Sequence, residues 1–303
     1  MREPLVSVVI PTYNHVRFSS PEIEVELMFA RISKAHLLNM DLRRISRIPN
    51  RVWQDLKIIR LVKNWREILI AKSARRPYLS IRFRNGLILN SPPEVMLDFL
   101  FHEIWIDEFY APANYETTSG ETVIDIGGNI DVFALWAATR AKGVKVYSYE
   151  PFPANAGYFE ANVKASEIDN VKFYPVAVAG SEGKRILRVE DSWILHSLVE
   201  DGSDDVKGLE VNCTSLDNAM AEIEQCDFLK LDCEGGEYDI LYSASPETLK
   251  KIKRVVCEFN VADSETKNGE GLRDFLSANG FAVETFKPLG EGCGMICARR
   301  YDH

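Results

Sequence analysis

Long hydrophobic runs are missing from this 303-residue chain. None approaches the roughly 18–20 residues that span a bilayer as a helix, which excludes a helical integral membrane protein. A disulfide framework is missing as well. The six cysteines (Cys213, Cys226, Cys233, Cys257, Cys293 and Cys297) all fall in the back half, none forms C-x-x-C, and none has the Cys/His spacing of a zinc site. They read as free thiols of a core in a reducing compartment, so the expected location is the cytoplasm. At the N-terminus the apolar stretch Leu5 to Pro11 is short and broken by Ser7, and it is not expected to act as a secretory signal. Internal repeats and low-complexity segments are absent, and 46% hydrophobic with 27% charged residues is the composition of a globular chain. That length buries a sizeable core without disulfides or a structural metal.

Acids are scarce at the front and abundant behind. Residues 1–90 hold 17 Lys+Arg against 7 Asp+Glu, and residues 91–303 hold 19 against 38, so the net charge of −9 averages two different objects. The basic stretch 31–84 has 15 Lys+Arg against Asp41, Asp55 and Glu67.

Leu5–Pro11 reads as a short buried strand, and 22–48 and 52–75 carry helix-period apolar positions. In the second of these Val52, Leu56, Ile59, Val62, Trp65 and Leu69 recur every three or four residues. The pattern then changes to a hairpin over 78–90 around Asn85-Gly86, followed by a helix over 94–108. From Glu121 onward strands alternate with helices. Strands are expected at 122–127, 144–150, 171–176, 227–232, 254–260, 281–286 and 293–299, and helices at 130–141, 154–166, 236–243 and 265–279. An excursion over 180–218 has β-like pieces at 184–190 and 208–213. Such alternation implies parallel strands covered by helices on both faces, an α/β doubly wound sheet.

Two glycine turns follow buried strands. The first is Asp125-Ile126-Gly127-Gly128-Asn129-Ile130-Asp131. Ligands of open α/β sheets sit beyond the carboxyl ends of the strands, glycines let the backbone approach, and a helix start offers N–H groups to an anion. Glu150, 23 residues after Gly127 at the end of the next strand, is placed to accept ribose hydroxyls. The third glycine of a G-x-G-x-x-G dinucleotide fingerprint is missing. Asp125 suits an ammonium instead, so a cofactor with ammonium, sulfonium and carboxylate but no phosphate, S-adenosylmethionine, fits better than NAD. The second turn is Asp232-Cys233-Glu234-Gly235-Gly236-Glu237, with three acids in six residues. Like charges this close raise at least one pKa, and such crowding marks acid–base chemistry. Asp232 and Glu234 are the candidate bases, with His196 in the excursion as another. A divalent metal on Asp232, Glu234 or Glu237 is a further reading of the acids, although Asp-x-Glu alone does not show one and no residue is assigned as a ligand. Val176, at the end of the third strand, completes the candidate cofactor contacts.

These turns, with Tyr149-Glu150-Pro151-Phe152-Pro153, Thr214-Ser215-Leu216-Asp217-Asn218 and Asp227 to Glu237, resemble the FkbM family of S-adenosylmethionine-dependent methyltransferases. Phe83-Arg84-Asn85-Gly86 and Glu103 to Tyr110 are similar to that family's lead-in, and the resemblance covers about 78–300. It implies a Rossmann-like, seven-stranded class I methyltransferase sheet with a mainly helical N-terminal extension. It also implies methylation of a hydroxyl on a sugar, glycan or polyketide-like acceptor. Asp125, Gly127 and Asn129 would line the methionine end, Glu150 the ribose, and Asp232 and Glu234 the reaction centre, with Gly128 beside Gly127 letting the backbone approach the cofactor. Asp131 stands where the family has a glycine. Its side chain is expected to intrude on the cofactor and oppose its carboxylate, so Asp131→Gly is expected to tighten cofactor binding.

Val6-Ser7-Val8-Val9-Ile10-Pro11-Thr12-Tyr13-Asn14 resembles the opening strand of inverting GT-A glycosyltransferases, but no Asp-x-Asp follows, which argues against that activity. The expected domains are thus a glycosyltransferase-like strand (1–18), a basic helical extension (19–77), a hairpin and helix lead-in (78–118) and the methyltransferase domain (119–303). The rival to the enzyme is a catalytically impaired methyltransferase-fold interaction protein, kept open by Asp131. The basic extension is expected to be a solvated cap, an anchor for an anionic membrane surface, or a dock for an anionic acceptor such as a lipid- or nucleotide-linked sugar. No nucleic-acid motif accompanies its charge.

Overall fold

Apolar runs of four or five residues bounded by glycine turns set the frame of this computed structural model, which describes residues 50–189, 196–199, 208–260, 266–289 and 292–301. The expected strand at 5–11, its glycosyltransferase-like motif and the helix at 22–48 lie outside the described residues. Two compact units are distinguished. Residues 50–60 and 65–76 belong to one, and 61–64 with the chain from Pro77 onward to the other.

The first unit contains helix α1 (Asn50–Leu61) up to Arg60 and helix α2 (Trp65–Ser73), joined by a 2.9 Å ion pair between Lys72 and Asp55. One continuous helical pattern is expected over 52–75, yet the helix breaks at 62–64. There Val62 bridges to Phe83, and Asn64 accepts from the Arg82 amide at 2.9 Å while donating to the Ser80 carbonyl at 3.1 Å. The three residues thus serve the neighbouring hairpin, β1 (Ser80–Arg82) against β2 (Ile88–Asn90), rather than a helix ladder.

The expected helix over 94–108 is helical only from 97 to 106. It runs as α3 (Leu97–Phe101) and then a π turn (His102–Ile106), where the Asp107 amide reaches five residues back to the His102 carbonyl. Such π turns recur at functional sites. After them come β3 (Thr122–Ile126), α4 (Val132–Ala138), β4 (Lys145–Tyr149), α5 (Pro153–Ala165) and β5 (Val171–Tyr174). The excursion forms β6 (Ala177–Ala179), β7 (Gly183–Val189), β8 (His196–Val199) and β9 (Gly208–Ser215), ending in a helical turn, α6 (Leu216–Ala219). The chain closes with β10 (Phe228–Leu231), α7 (Glu237–Tyr242), α8 (Pro246–Lys250), β11 (Arg254–Asn260), α9 (Gly269–Ala278), β12 (Phe281–Pro288) and β13 (Cys293–Arg300).

Among the described residues the main sheet has seven strands in the order β12-β13-β11-β10-β3-β4-β5. The chain moves outward from β3 through β4 to β5, then returns to the other side of β3 with β10, so the strand order switches between β3 and β10. The sheet is mixed rather than all-parallel. β13 runs antiparallel between β11 and β12, because the few residues from Pro288 to Cys293 allow a hairpin and no crossover. The excursion makes a second sheet, β6-β9-β7-β8, around a small core of Ala177, Ala179, Leu187, Val211 and Cys213. Side chains one turn apart on α5 complete the edge of β2. Ser166 Oγ accepts from the Ile88 amide at 3.0 Å, and Asn162 accepts from the Asn90 amide at 2.8 Å and donates to the Asn90 carbonyl at 2.9 Å.

Candidate active site

The central strands are apolar runs with one charge each. In register, Lys230 of β10 faces Asp125 of β3. The Lys230 ammonium lies 3.1 Å from Asp125 and 3.7 Å from Asp232, and it donates to the Gly127 carbonyl at 2.7 Å. Burial opposes the Lys230 charge, but Asp125 and Asp232 outweigh it and raise its pKa. Asp125 therefore does have an ammonium partner, but the partner is Lys230. It also accepts from Ser148 Oγ at 2.8 Å, is fully buried and stays behind the turn rather than lining the cleft.

Gly127 is required twice over. Its φ is +81°, and a Cβ there would stand 1.8 Å from the Asp232 carbonyl oxygen. This close approach brings the turn after β3 against the turn after β10, at the strand-order switch where open α/β sheets bind ligands. A cleft of about 270 Å³ opens there. One end is lined by Gly128, Asn129, Tyr149, Glu150 and Asn155 with Ala177, Val178 and Leu187, and the other by Phe99, Glu103, Tyr110, Lys230, Asp232, Glu234 and Glu258.

At the first end, Glu150 Oε2 accepts from the Asn129 amide at 2.9 Å and Oε1 from the Phe152 amide at 2.8 Å. The Asn129 amide is thus committed to Glu150 rather than held for a cofactor carboxylate, as a helix-start site would need. Burial raises the Glu150 pKa to about 7 against the pull of those amides. The Asn155 side chain also hydrogen-bonds to Glu150, which leaves this carboxylate room for a further donor. Asn129 Oδ1 and Asn155 Oδ1 are buried acceptors with no partner. The donor set is therefore one of waiting acceptors, which fits the hydroxyls and ammonium of a nucleoside cofactor and not a phosphate.

Asp131 does not intrude on the cleft. It occupies the left-handed region at φ +81°, and its carboxyl is fully buried beside Asn162 Nδ2 at 3.4 Å, outside the lining. Burial, with Asp125 nearby, raises its pKa well above the usual carboxylate range, which disfavours a charge there. The family's glycine here answers to backbone conformation. Val176 packs on the main core, and the neighbouring Ala177 and Val178 line the cleft instead. Of His196 only the backbone is described, on β8 opposite Val189.

At the second end, Asp232 and Glu234 line the cleft, with Glu234 at φ +50°. Glu237 does not line it. Its carboxylate is buried and accepts from the Asn260 amide at 2.6 Å and the Gly235 amide at 2.8 Å, fastening the turn, and burial lifts its pKa to about 7. Sequence reasoning about the site missed Tyr110, Glu103, Lys230 and Glu258. Tyr110 Oη lies 2.8 Å from Asp232 Oδ2 and 3.0 Å from Glu258 Oε2. Burial first, then Asp232 and Glu258, raise the Glu103 pKa to about 8. Glu103 and Tyr110 fall in the lead-in motif and Lys230 and Asp232 in the Asp227–Glu237 motif, so only Glu258 had no local signal. Among the described residues no group of three or more His, Cys, Asp or Glu is placed to hold a metal ion, and no helix is long and apolar enough to cross a membrane.

A family model described as the methyltransferase FkbM domain matches residues 125–283. The chain is 27% identical over 257 residues to the 31-O-demethyl-FK506 methyltransferase FkbM of Streptomyces tacrolimicus, covering 73% of this chain and 96% of that protein. It is 25% identical over 237 residues to the AMB antimetabolite synthetase AmbE of Pseudomonas aeruginosa, covering 65% of this chain and spanning only 11% of that protein's length. A solved precorrin-6y C5,15-methyltransferase of Geobacter metallireducens superposes with a TM-score of 0.38 at 13% identity, over 61% of this chain and 82% of that one. With more than half its length matched by the family model, and with a seven-stranded sheet opening its cleft at the strand-order switch, the chain belongs to the FkbM family of S-adenosylmethionine-dependent methyltransferases.

Proposed function

We propose that this methyltransferase acts on a hydroxyl of a small-molecule or glycan acceptor, with Asp232 as the general base. The observation that carries the reading is the carboxylate-rich end of the cleft, where Asp232 meets Tyr110 and Glu258 beyond the Gly127 turn. S-adenosylmethionine, when bound, supplies an electrophilic methyl group. Glu150 and Asn155 would hold its ribose, and Asn129 Oδ1 would accept from its ammonium. Alignment of acceptor and donor supplies about 7–11 kcal/mol of barrier lowering, and proton removal by a positioned base adds about 10²–10⁴-fold. Glu234 stands on the same end and is the second candidate for that proton.

One relative is named as a methyltransferase of 31-O-demethyl-FK506 and another as an antimetabolite synthetase, and the first of these names supports a hydroxyl acceptor. A glycan acceptor rests on the sequence reading alone. The reading of the chain as an impaired interaction protein rested on Asp131, which lies outside the cleft lining. The basic front remains a proposed dock for an anionic acceptor or an anionic membrane surface. In its described part, Lys57 and Arg66 already lie over Trp53 and Trp65, at 5.8 and 5.2 Å.

Methyl-labelled S-adenosylmethionine offered with panels of polyols, carboxylates and amines tests the reaction class. Label is expected in a methyl ether, with Asp232→Asn lowering turnover by about 10²-fold or more. Label in an amine or ester, or an Asp232→Asn variant of unchanged turnover, contradicts the reading.

A further inference from the structure

One hydroxyl proton stands between two carboxylate oxygens that line the cleft. Tyr110 Oη is within hydrogen-bond distance of both Asp232 Oδ2 and Glu258 Oε2. A phenol has a single O–H to donate. If both carboxylates were ionised, one would face the tyrosine oxygen with no hydrogen between them. Both contacts become hydrogen bonds when one carboxyl keeps a proton and donates it to Tyr110 Oη while the tyrosine donates to the other.

Charge balance asks for the same proton. Glu103, raised to about 8, keeps its own proton near pH 7, which leaves Asp232 and Glu258 beside a Lys230 ammonium already shared with Asp125. The ion pair falls to Asp232, at 3.7 Å from Lys230, so the proton falls to Glu258. The groups that act on Glu258 come from every element around it: Glu103 of the π turn, Tyr110 of the following loop, Lys230 and Asp232 of β10 and its turn, and Cys257 on its own strand. Burial and Asp232 push its proton affinity up and outweigh the Tyr110 hydrogen bond and Lys230, which pull it down.

We propose that Glu258 is a second acid–base residue of this site: through Tyr110 it shares one proton with Asp232 before cofactor binds, and it releases that proton when a sulfonium cation enters the cleft. The step is an O–H dissociation, with the proton passing to solvent. A cation nearby favours the charged form of a carboxyl. Tyr110 then turns its O–H to the Glu258 carboxylate, and Asp232 loses that donor and becomes the stronger base for the acceptor hydroxyl. The device explains why Asp232 and Glu258 crowd one ammonium. It rests on the reading of this cleft as the S-adenosylmethionine site.

Calorimetric titration of the full chain in phosphate and in Tris, at one pH near 7, reads proton release from the dependence of heat on buffer. S-adenosylmethionine is compared with S-adenosylhomocysteine, which has the same nucleoside and amino-acid parts but no sulfonium charge. The first is expected to release about half a proton or more beyond the second. That excess is expected to vanish in Glu258→Gln and to persist in Glu103→Gln. Should Glu258→Gln not fold, Tyr110→Phe carries the same expectation. Equal release by the two ligands in the unaltered chain, an excess that survives Glu258→Gln or Tyr110→Phe, or one that disappears with Glu103→Gln instead, overturns the proposal. If neither ligand binds, the cofactor reading fails and this inference with it.

Discussion

Asp131 shows how one residue's backbone conformation decides what its side chain can do. By chain position it stands at the cofactor turn, yet a φ of +81° goes with a carboxyl buried beside Asn162. A left-handed non-glycine residue costs about 1–2 kcal/mol, and a buried carboxyl with a partnerless oxygen adds to that. Asp131→Gly is therefore expected to raise unfolding stability by about 1 kcal/mol in thermal or chemical denaturation. It should leave the S-adenosylmethionine dissociation constant within about threefold, a change below ~0.7 kcal/mol. A large gain in affinity would restore the intrusion expected from the sequence. The same lesson applies to Asp125 and Glu237. Both were legible as acids next to glycine turns, but their partners, Lys230 and the Asn260 amide, arrive from other strands. Glu258 was not legible at all, because a single acid in the apolar strand Arg254–Asn260 acquires its role from Tyr110, 148 positions away.

At the scale of elements, the strands of the main sheet were readable because buried strands are short apolar runs and the turns between them are marked by glycine. Arg254–Asn260 matches its expected bounds, and the other six strands fall within two residues of theirs. The break at 62–64 was not readable: Val62 keeps the helix period, and only the distant hairpin edge makes a bridge better than another helical turn. The hand-over from α3 to a π turn was hidden for the same reason. The β3 turn has the sharpest element-scale consequence. Gly127→Ala places a methyl carbon against the Asp232 carbonyl and forces a positive φ on alanine. It is expected to destabilise the chain by about 3 kcal/mol or more and to abolish cofactor binding, read by thermal denaturation and equilibrium dialysis. An alanine variant with unchanged melting and binding would show that the two turns do not need their close approach.

Over the whole molecule, the acidic back coincides with the sheet unit, and many of its acids are buried. Burial lifts Glu150 and Glu237 to about 7 and Glu103 to about 8, against 4.5 for an ordinary glutamate. The folded state then binds more protons than the unfolded chain between these values. The stability these groups confer is present below about pH 4.5 and is lost as pH rises through 7 to 8. Glu121, Asp217 and Asp227, held below the ordinary range by hydrogen bonds and ion pairs that outweigh burial, withdraw their support only on the acid side. Without ligand, the melting temperature is expected to fall by about 3 °C or more from pH 5 to pH 8, and a rise over that interval would refute the assignment. The central claim is that the cleft between the β3 and β10 turns holds S-adenosylmethionine through Glu150. Calorimetric titration of the unaltered chain and of Glu150→Ala tests it most directly. One saturable site in the first and binding weakened by about tenfold or more in the second is the predicted result. No saturable binding in the unaltered chain, or equal binding by both, would contradict it.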